Sequence, residues 1–350
     1  MKVHWTVSTC AAVFLPLLLL AAGADAQTPR ALDPDVLEAC GLSHGEFTGD
    51  VQIHALEWSE LNRPLCSLEI LPEEALKPGE TWPVVVLLHG LRGAPADWLR
   101  FAHIHRRIRE IQAEGALPPT VFLLPTGHNG YWTNWADGKH PYRDLVFAYL
   151  RDAERRIPAL SRDPARRAIA GISMGGFGAV SIALEHPEEF GIAVGMSPTD
   201  LVIATEQQPN RKVYRRIFGT PVDDALVRSV NPRDLVESGQ GRGLVFRLFV
   251  GTAEGAKFTQ GTRELADAMR ANALQVDLTE IEGGKHTWDS TWNAQTHRDW
   301  LRQIGYMFRN LDDAAPIPQS ANPVQRMIHG WKKVMKAHGQ NAPQRTMRPR

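Results

Sequence analysis

The sequence predicts an α/β protein with a mostly parallel central sheet and helices on both faces. Short apolar runs rich in β-branched residues alternate with longer segments of helical periodicity from residue 83 onward. The runs are apolar throughout, which is typical of strands buried on both faces. Neighbouring parallel strands must be joined by crossover connections, and the helices in this alternation provide them.

The predicted elements follow one another in a regular order. Two half-alternating stretches, 51–58 and 65–71, predict an antiparallel hairpin ahead of the parallel strands. Strands are then expected at 83–90, 120–125, 166–170, 191–197, 244–251 and 276–281. Helices are expected at 96–113, 142–157, 174–185, 262–273 and 292–307. A polar insertion separates the strand at 191–197 from the next one.

The two ends of the chain differ from this core. A basic start, an apolar stretch at 13–22 and an A-x-A site at 24–26 predict a signal peptide over 1–26. That stretch is short for a membrane span, and no transmembrane anchor is expected after its removal. The domain over 27–310 is therefore expected to be soluble and either secreted or periplasmic.

The tail, 311–350, is rich in Pro, Gln, Ala and Asn, and its charged residues after Asp313 are basic. This composition predicts a disordered, solvated segment. The stretch VQRMIHGWKKVMKAHG could alternatively form a short basic amphipathic helix that touches an anionic surface.

Charge and cysteine content exclude several function classes. The 39 basic and 39 acidic residues balance, so the composition does not indicate nucleic-acid binding. No cluster of Cys and His has the spacing of zinc ligands, and neither a metal nor another cofactor is expected. Cys40 and Cys66 are the thiols beyond the predicted signal peptide, and export predicts a disulfide between them. Two unrelated buried thiols are the alternative.

The stretch RRAIAGISMGGFGAV, at 166–180, carries the main functional signal. Ser173 lies between Gly171 and Gly175 where a predicted strand becomes a predicted helix. Such a turn is typical of a nucleophile elbow, in which the serine backbone is strained and the hydroxyl stands free above the sheet. A glycine-rich turn without a catalytic role is the alternative. Other residues of the chain are needed to choose between these two interpretations.

A nucleophilic serine needs a base and an acid, and later strand ends supply both. His286 follows the strand at 276–281 and is expected to act as the base. Glu254 follows the strand at 244–251 and is expected to orient that histidine. Three aspartates in or near the insertion are rivals for the acid: Asp200, Asp223 and Asp224.

Two backbone N–H groups are expected to stabilise the oxyanion of the reaction. One belongs to Met174, directly after the nucleophile, and the other to Leu91, in the loop after the strand at 83–90. His89, at the end of that strand, is interpreted as a structural histidine. Five aromatic residues are expected either to line a site or to pack in the core: Tyr131, Trp132, Trp135, Trp288 and Trp292.

Four ordered motifs resemble the putative-esterase family, which includes esterase D, feruloyl and acetylxylan esterases and the antigen 85 mycolyltransferases. They are LLHGLRGAPADW, LLPTGHNGYWTNW, AGISMGGFGAVSIALEHPEEF and GGKHTW, and the resemblance covers residues 45–308. It implies an α/β-hydrolase fold and acyl transfer through an acyl-serine. It also supports Ser173, Glu254 and His286 as a triad.

The antigen 85 branch adds two implications. Its sugar-contacting stretches resemble those around Arg92 and Trp288, which are therefore expected near the substrate together with Trp135 of the aromatic loop. That branch has an aspartate where this chain has His89, which favours water as the acyl acceptor.

The sequence thus predicts an esterase acting on a small-molecule or carbohydrate ester. Acyl transfer to a sugar or glycolipid and a binding protein without catalysis are the alternatives.

Overall fold

The computed structural model describes residues 34–43, 51–74 and 76–310; the predicted signal peptide and basic tail lie outside the described residues. The strands in chain order are β1 (Gln52–Ala55), β2 (Cys66–Ile70), β3 (Val84–Leu88), β4 (Val121–Pro125), β5 (Arg167–Ile172), β6 (Ile192–Met196), β7 (Val245–Gly251) and β8 (Gln275–Ile281). The helices are α1 (Pro34–Cys40), α2 (Asp97–Arg100), α3 (Ile104–Ala113), α4 (Tyr142–Arg156), α5 (Met174–Glu185), α6 (Leu201–Gln207), α7 (Lys212–Phe218), α8 (Asp224–Val230), α9 (Pro232–Glu237), α10 (Ala256–Ala271) and α11 (Ala294–Asn310).

The eight strands form one sheet in the order β1-β2-β4-β3-β5-β6-β7-β8. The first two strands are antiparallel additions at one edge, and the pairs from β4 through β8 are parallel. The predicted α/β class is confirmed. Because β5 lies between β3 and β6, the loops that follow these three strands meet at one edge of the sheet.

Alternate residues of the strands feed two hydrophobic clusters, one on each face of the sheet. Val86 and Leu88 of β3 pack in one cluster with Phe177 of α5. Val85 of the same strand packs in the other with Trp300 of α11. Burial of each such side chain stabilises the fold by roughly 1.5–3 kcal/mol. Burial on both faces explains why the strand runs are continuously apolar.

Two predicted helices have wrong bounds. The helix predicted over 96–113 is divided, because His103 adopts a left-handed conformation with φ 47° between α2 and α3. The helix predicted over 262–273 begins earlier, at Ala256. Gly261 lies inside that helix, where a Cβ would collide with the Asp200 side chain. This glycine permits close packing and does not end the helix.

The insertion between β6 and β7 is more ordered than its polar composition predicts. It contains the four helices α6 to α9. Tyr214, Ile217 and Phe218 are buried in the cluster that also contains Phe177. The other helices of the insertion also bury apolar side chains in this cluster, so the polar segment is attached to the core along its whole length.

A disulfide joins Cys40, at the end of α1, to Cys66, at the start of β2, with a Cα–Cα distance of 5.7 Å. It connects the first described helix to the antiparallel edge of the sheet. In the part of the chain that the structure describes, no helix combines the length and apolarity needed to cross a membrane.

Candidate active site

Ser173 occupies a strained turn between β5 and α5. Its backbone has φ 55° and ψ −116°, and its N–H donates to the Met196 carbonyl at 2.8 Å. A Cβ on Gly171 would collide with the Gly175 carbonyl, and one on Gly175 would collide with the Leu88 carbonyl. The two glycines are thus required by backbone contacts between the strands and the helix. Strain of this kind persists where the surrounding structure imposes it.

His286 lies within hydrogen-bonding distance of both Ser173 and Glu254. Its Nε2 is 2.9 Å from Ser173 Oγ, and its Nδ1 is 2.5 Å from Glu254 Oε2. The Glu254 side chain is 0% exposed, whereas 28% of the His286 side chain is exposed. A buried carboxylate therefore contacts a histidine that is partly exposed.

Three donors surround the Glu254 carboxylate. The Gly251 N–H and the Ser197 hydroxyl each donate to Oε1 at 2.8 Å, and His286 donates to Oε2. Burial opposes ionisation, but these hydrogen bonds outweigh it and lower the pKa of Glu254 below its ordinary value. An ionised carboxylate favours the histidine tautomer that donates from Nδ1, and Nε2 then faces the Ser173 hydroxyl as an acceptor.

Aromatic side chains hold the His286 ring on two sides. Phe258 stacks on it with ring centroids 3.8 Å apart, and Trp292 packs against it in a T-shaped arrangement with ring centroids 4.5 Å apart. The Trp292 Nε1–H donates to Ser197 Oγ, the same hydroxyl that donates to Glu254. The acid and the base are thus fixed by one connected set of contacts.

The rival acids have other roles in the structure. Asp200 caps α6 by accepting from the Ile203 N–H at 3.0 Å, and its other oxygen faces Arg233 at 3.5 Å. Asp223 caps α8, and Asp224 occupies the first turn of the same helix. Among these candidates, Glu254 is the carboxylate that contacts His286.

The loop after β3 passes over the nucleophile. A Cβ on Gly90 would lie 3.6 Å from the Ser173 Cβ, so Leu91 follows directly beside the serine. Met174 begins α5, where the first N–H groups of a helix lack acceptors within it. Neither the Leu91 nor the Met174 amide donates a hydrogen bond to another of the described residues. Leu91 and Met174 thus lie at the same edge of the sheet, and neither amide is engaged by another described residue.

A model of the family described as Putative esterase matches residues 59–302. The chain belongs to this family. It is similar to an acetyl esterase of Caldicellulosiruptor saccharolyticus, with 25% identity over 236 residues that cover 64% of this chain and 85% of that protein. An esterase of Mycobacterium tuberculosis is 26% identical over 240 residues, which cover 61% of this chain and 51% of that protein. The matched segment thus spans about half of the mycobacterial relative.

Among solved structures, a ferulic acid esterase superimposes with a TM-score of 0.62 at 20% identity, covering 75% of this chain and 100% of that one. At this identity the likeness establishes the fold, which is the α/β-hydrolase fold that the motifs imply. The family match and the esterase relatives identify the protein as a carboxylic ester hydrolase.

His89 supports the loops of this esterase from below. It is fully buried, its Nδ1 lies 2.8 Å from the Gly90 carbonyl, and its Nε2 accepts from the Gly127 N–H at 3.0 Å. Burial lowers its pKa to about 4, so the ring is neutral. Trp132 packs against it and donates to the His89 carbonyl. The structural interpretation of this histidine agrees with these contacts.

The aromatic residues divide between core and cavity. Tyr131, Trp132 and Trp292 are buried. Trp135 is half-buried and, with Arg92, lines a cavity beside Leu91. The structure therefore brings two of the three expected substrate residues together.

Trp288, the third expected substrate residue, lies elsewhere. It stacks on Phe101 and meets the edges of Trp98 and Trp292. Trp292 in turn touches His286, so Trp288 is two contacts away from the base.

Two site residues were not predicted from the sequence. Ser197 directly follows β6, which is the neighbour of β5 in the sheet. This position after a strand beside the nucleophile could have marked it as a site residue. Phe258 lies on the first turn of α10, ahead of the predicted helix start, and no motif marks it.

Proposed function

We propose that this protein hydrolyses carboxylic esters through an acyl-serine intermediate on Ser173. The proposal rests on the continuous hydrogen-bond chain from Ser173 Oγ through His286 to the buried carboxylate of Glu254. Each member has the partner that its role requires, because a nucleophile needs a base and a base needs an orienting acid.

In the first half of the reaction, Ser173 Oγ attacks the ester carbonyl carbon while His286 Nε2 takes the hydroxyl proton. The oxyanion forms beside the N–H groups of Leu91 and Met174, each worth roughly 3–4 kcal/mol in the transition state. Glu254 stabilises the imidazolium. The C–O bond to the alcohol then breaks, and His286 gives its proton to the departing alkoxide.

In the second half, water takes the place of the alcohol. His286 removes a proton from the water as its oxygen attacks the acyl carbon, and the proton then returns to Ser173 Oγ when the acid departs. Both ring nitrogens of His89 are engaged beneath the loop, so it does not serve an incoming sugar. This favours hydrolysis over transfer.

The acyl group and the alcohol are proposed to be small, with acetylated sugars and feruloyl esters as the first candidates. A panel of 4-nitrophenyl, feruloyl and acetylated-sugar esters tests this class. Addition of excess glucose to the most active ester separates hydrolysis, which releases free acid, from transfer, which yields acyl-glucose. Failure to cleave any ester would overturn the proposal.

The catalytic domain is proposed to span 27–310 and to act outside the cytoplasm. The Cys40–Cys66 disulfide supports this location, because such bonds persist in oxidising compartments. Amino-terminal sequencing of the exported protein should read from Gln27. Retention of the full-length chain in the cytoplasm would contradict the assignment.

A further inference from the structure

A cavity of about 390 Å³ opens beside the oxyanion loop. The volume is within the range of small-molecule sites. Leu91, Asn129 and Trp135 contribute to its wall. Five of the lining residues are cationic: Arg63, Arg92, Arg211, Lys212 and Arg216.

The positive charge of this cavity is not balanced by acidic side chains in its own lining. Its lining contains no acidic residue among those described, and none of the five cations forms an ion pair within the described residues. Arg167, by contrast, is buried between Glu154 and Glu189. The chain as a whole is balanced, with 39 residues of each sign. Clefts lined by one sign of charge concentrate ligands of the other sign.

Two of the cations also border a second cavity. Arg63 and Arg92 line it together with Asp35 and Glu38. Arg211, just before α7, and Lys212 and Arg216 on α7 do not line the second cavity. Arg211, Lys212 and Arg216 therefore provide the positive charge that is specific to the first cavity.

The cavity is connected to the candidate nucleophile through the oxyanion loop, although Ser173 and His286 are not among its lining residues. Leu91 lines it and directly follows Gly90, which packs on Ser173. Burial, and then the charge of Arg211, lower the pKa of Lys257. The Lys257 ammonium lies 5.0 Å from the centroid of the Phe258 ring, and that ring stacks on His286. Lys257 thus places a further cation against the aromatic ring that stacks on His286.

Part of this charge is held in place before any ligand binds. The backbone N–H of Arg92 donates to Asn129 Oδ1 at 2.7 Å, and this bond fixes the loop at Arg92. The Arg211 guanidinium lies 5.3 Å from the Tyr214 ring centroid and donates to its hydroxyl at 3.3 Å. A fixed guanidinium loses less entropy when it binds a carboxylate, and its donors match the two carboxylate oxygens.

We propose that the ester cleaved at Ser173 carries a carboxylate, and that this cavity binds it. The inference rests on the proposed function and adds the charge class of the substrate. The carboxylate belongs either to the acyl chain or to the alcohol. The two sources are distinguished by ester pairs that differ only in that group.

The test compares kcat/KM within two matched pairs. The acyl-side pair is the 4-nitrophenyl monoester of adipate and 4-nitrophenyl hexanoate. The alcohol-side pair is 4-acetoxybenzoate and its methyl ester. In at least one pair, the anionic ester should be favoured by about tenfold, and about 1 M salt should remove that preference by screening. A preference for the neutral ester in both pairs would overturn the inference.

Substitutions on α7 locate the effect. Lys212→Gln combined with Arg216→Gln should lower the ratio of anionic to neutral kcat/KM about tenfold. Both side chains are exposed, so the fold does not depend on them. Arg215→Gln is the matched control, because Arg215 lies on the same helix but lines a different cavity. An equal fall of the ratio in Arg215→Gln would overturn the assignment.

The same assays separate this inference from the proposed function. Cleavage of the neutral esters with no charge preference removes the carboxylate site and leaves the esterase mechanism intact. If none of the four esters is cleaved and a fluorophosphonate does not label Ser173, the proposed function fails, and this inference fails with it.

Discussion

The strand ends that carry Ser173, Glu254 and His286 differ from the insertion that carries the cationic side of the cavity. At the strand ends, backbone contacts determine the positions. A Cβ on Gly176, for example, would lie 2.8 Å from the Met196 carbonyl. The insertion is a series of short helices, and three of its cations, Arg211, Lys212 and Arg216, line the cavity. The two proposals therefore assign the reaction to the strand ends and part of the choice of substrate to the insertion.

The two regions also differ in what stabilises them. Helices α6 to α9 have six or seven residues each, which is too short for independent stability. They depend on packing and on local bonds such as the Asn231 side chain accepting from the Leu201 N–H. Such a segment can change its surface charges without disturbing the strand ends.

Ser173→Ala is expected to have the largest effect, and it acts at the strand ends alone. Removal of the nucleophile should lower kcat by about 10⁴–10⁶. The measurement is hydrolysis of the best ester, with circular dichroism as the control for folding. Retention of activity within tenfold of the wild type would show that another group attacks the ester.

Glu254→Gln and Asp200→Asn form a matched pair across the two regions. Loss of the Glu254 charge removes the acceptor that orients His286, and kcat should fall by about 10²–10⁴ with little change in KM. Asp200→Asn keeps a residue that caps helices well, so kcat should remain within a few-fold of the wild type. The reverse pattern would identify Asp200, at the start of the insertion, as the acid.

Ser197→Ala tests the support behind the acid. Loss of its hydroxyl removes a donor to Glu254 and the acceptor of Trp292, and kcat should fall about tenfold. Because the lost bond favours the charged carboxylate, the pKa of Glu254 should rise and the acid limb of the kcat profile should move to higher pH. Ser197→Thr is the conservative variant for rescue. An unchanged profile would assign Ser197 no part in positioning.

The last comparison concerns acid stability, and it arises on α11, outside the insertion. Burial and the nearby Arg107 charge lower the pKa of His297 to about 3. Since the unfolded value is near 6.5, the neutral ring stabilises the fold fully above pH 6.5, and this stability is lost as the pH falls toward 3. The insertion, 198–243, contains no histidine.

Urea unfolding between pH 6.5 and 4.5 measures this contribution. The free energy of unfolding of the wild type should fall more steeply than that of His297→Met, by about 1.4 kcal/mol per pH unit. The variant loses the acceptor of the Trp300 N–H at every pH, so the slopes are compared rather than the absolute values. Equal slopes would exclude His297 as a source of acid sensitivity.

The difference between the strand ends and the insertion also explains which features could be predicted from the sequence. The strands and the turn at Ser173 were predictable because apolar runs and glycine spacing report local backbone requirements. Helix α5 was predicted with the bounds that it has. The break at His103, the early start of α10 and the role of Ser197 depend on tertiary contacts. The cationic cavity assembles Arg63, Arg92 and the charges of α7 from distant parts of the chain, and no short motif reports such a cluster.

The central claim is that Ser173 is the nucleophile, and active-site labelling tests it most directly. The wild-type protein is treated with a fluorophosphonate, digested and mapped by mass spectrometry. The account predicts one adduct, on the peptide that contains Ser173, and its loss in both Ser173→Ala and His286→Ala. An adduct on a different serine, or one that persists in Ser173→Ala, would contradict the account.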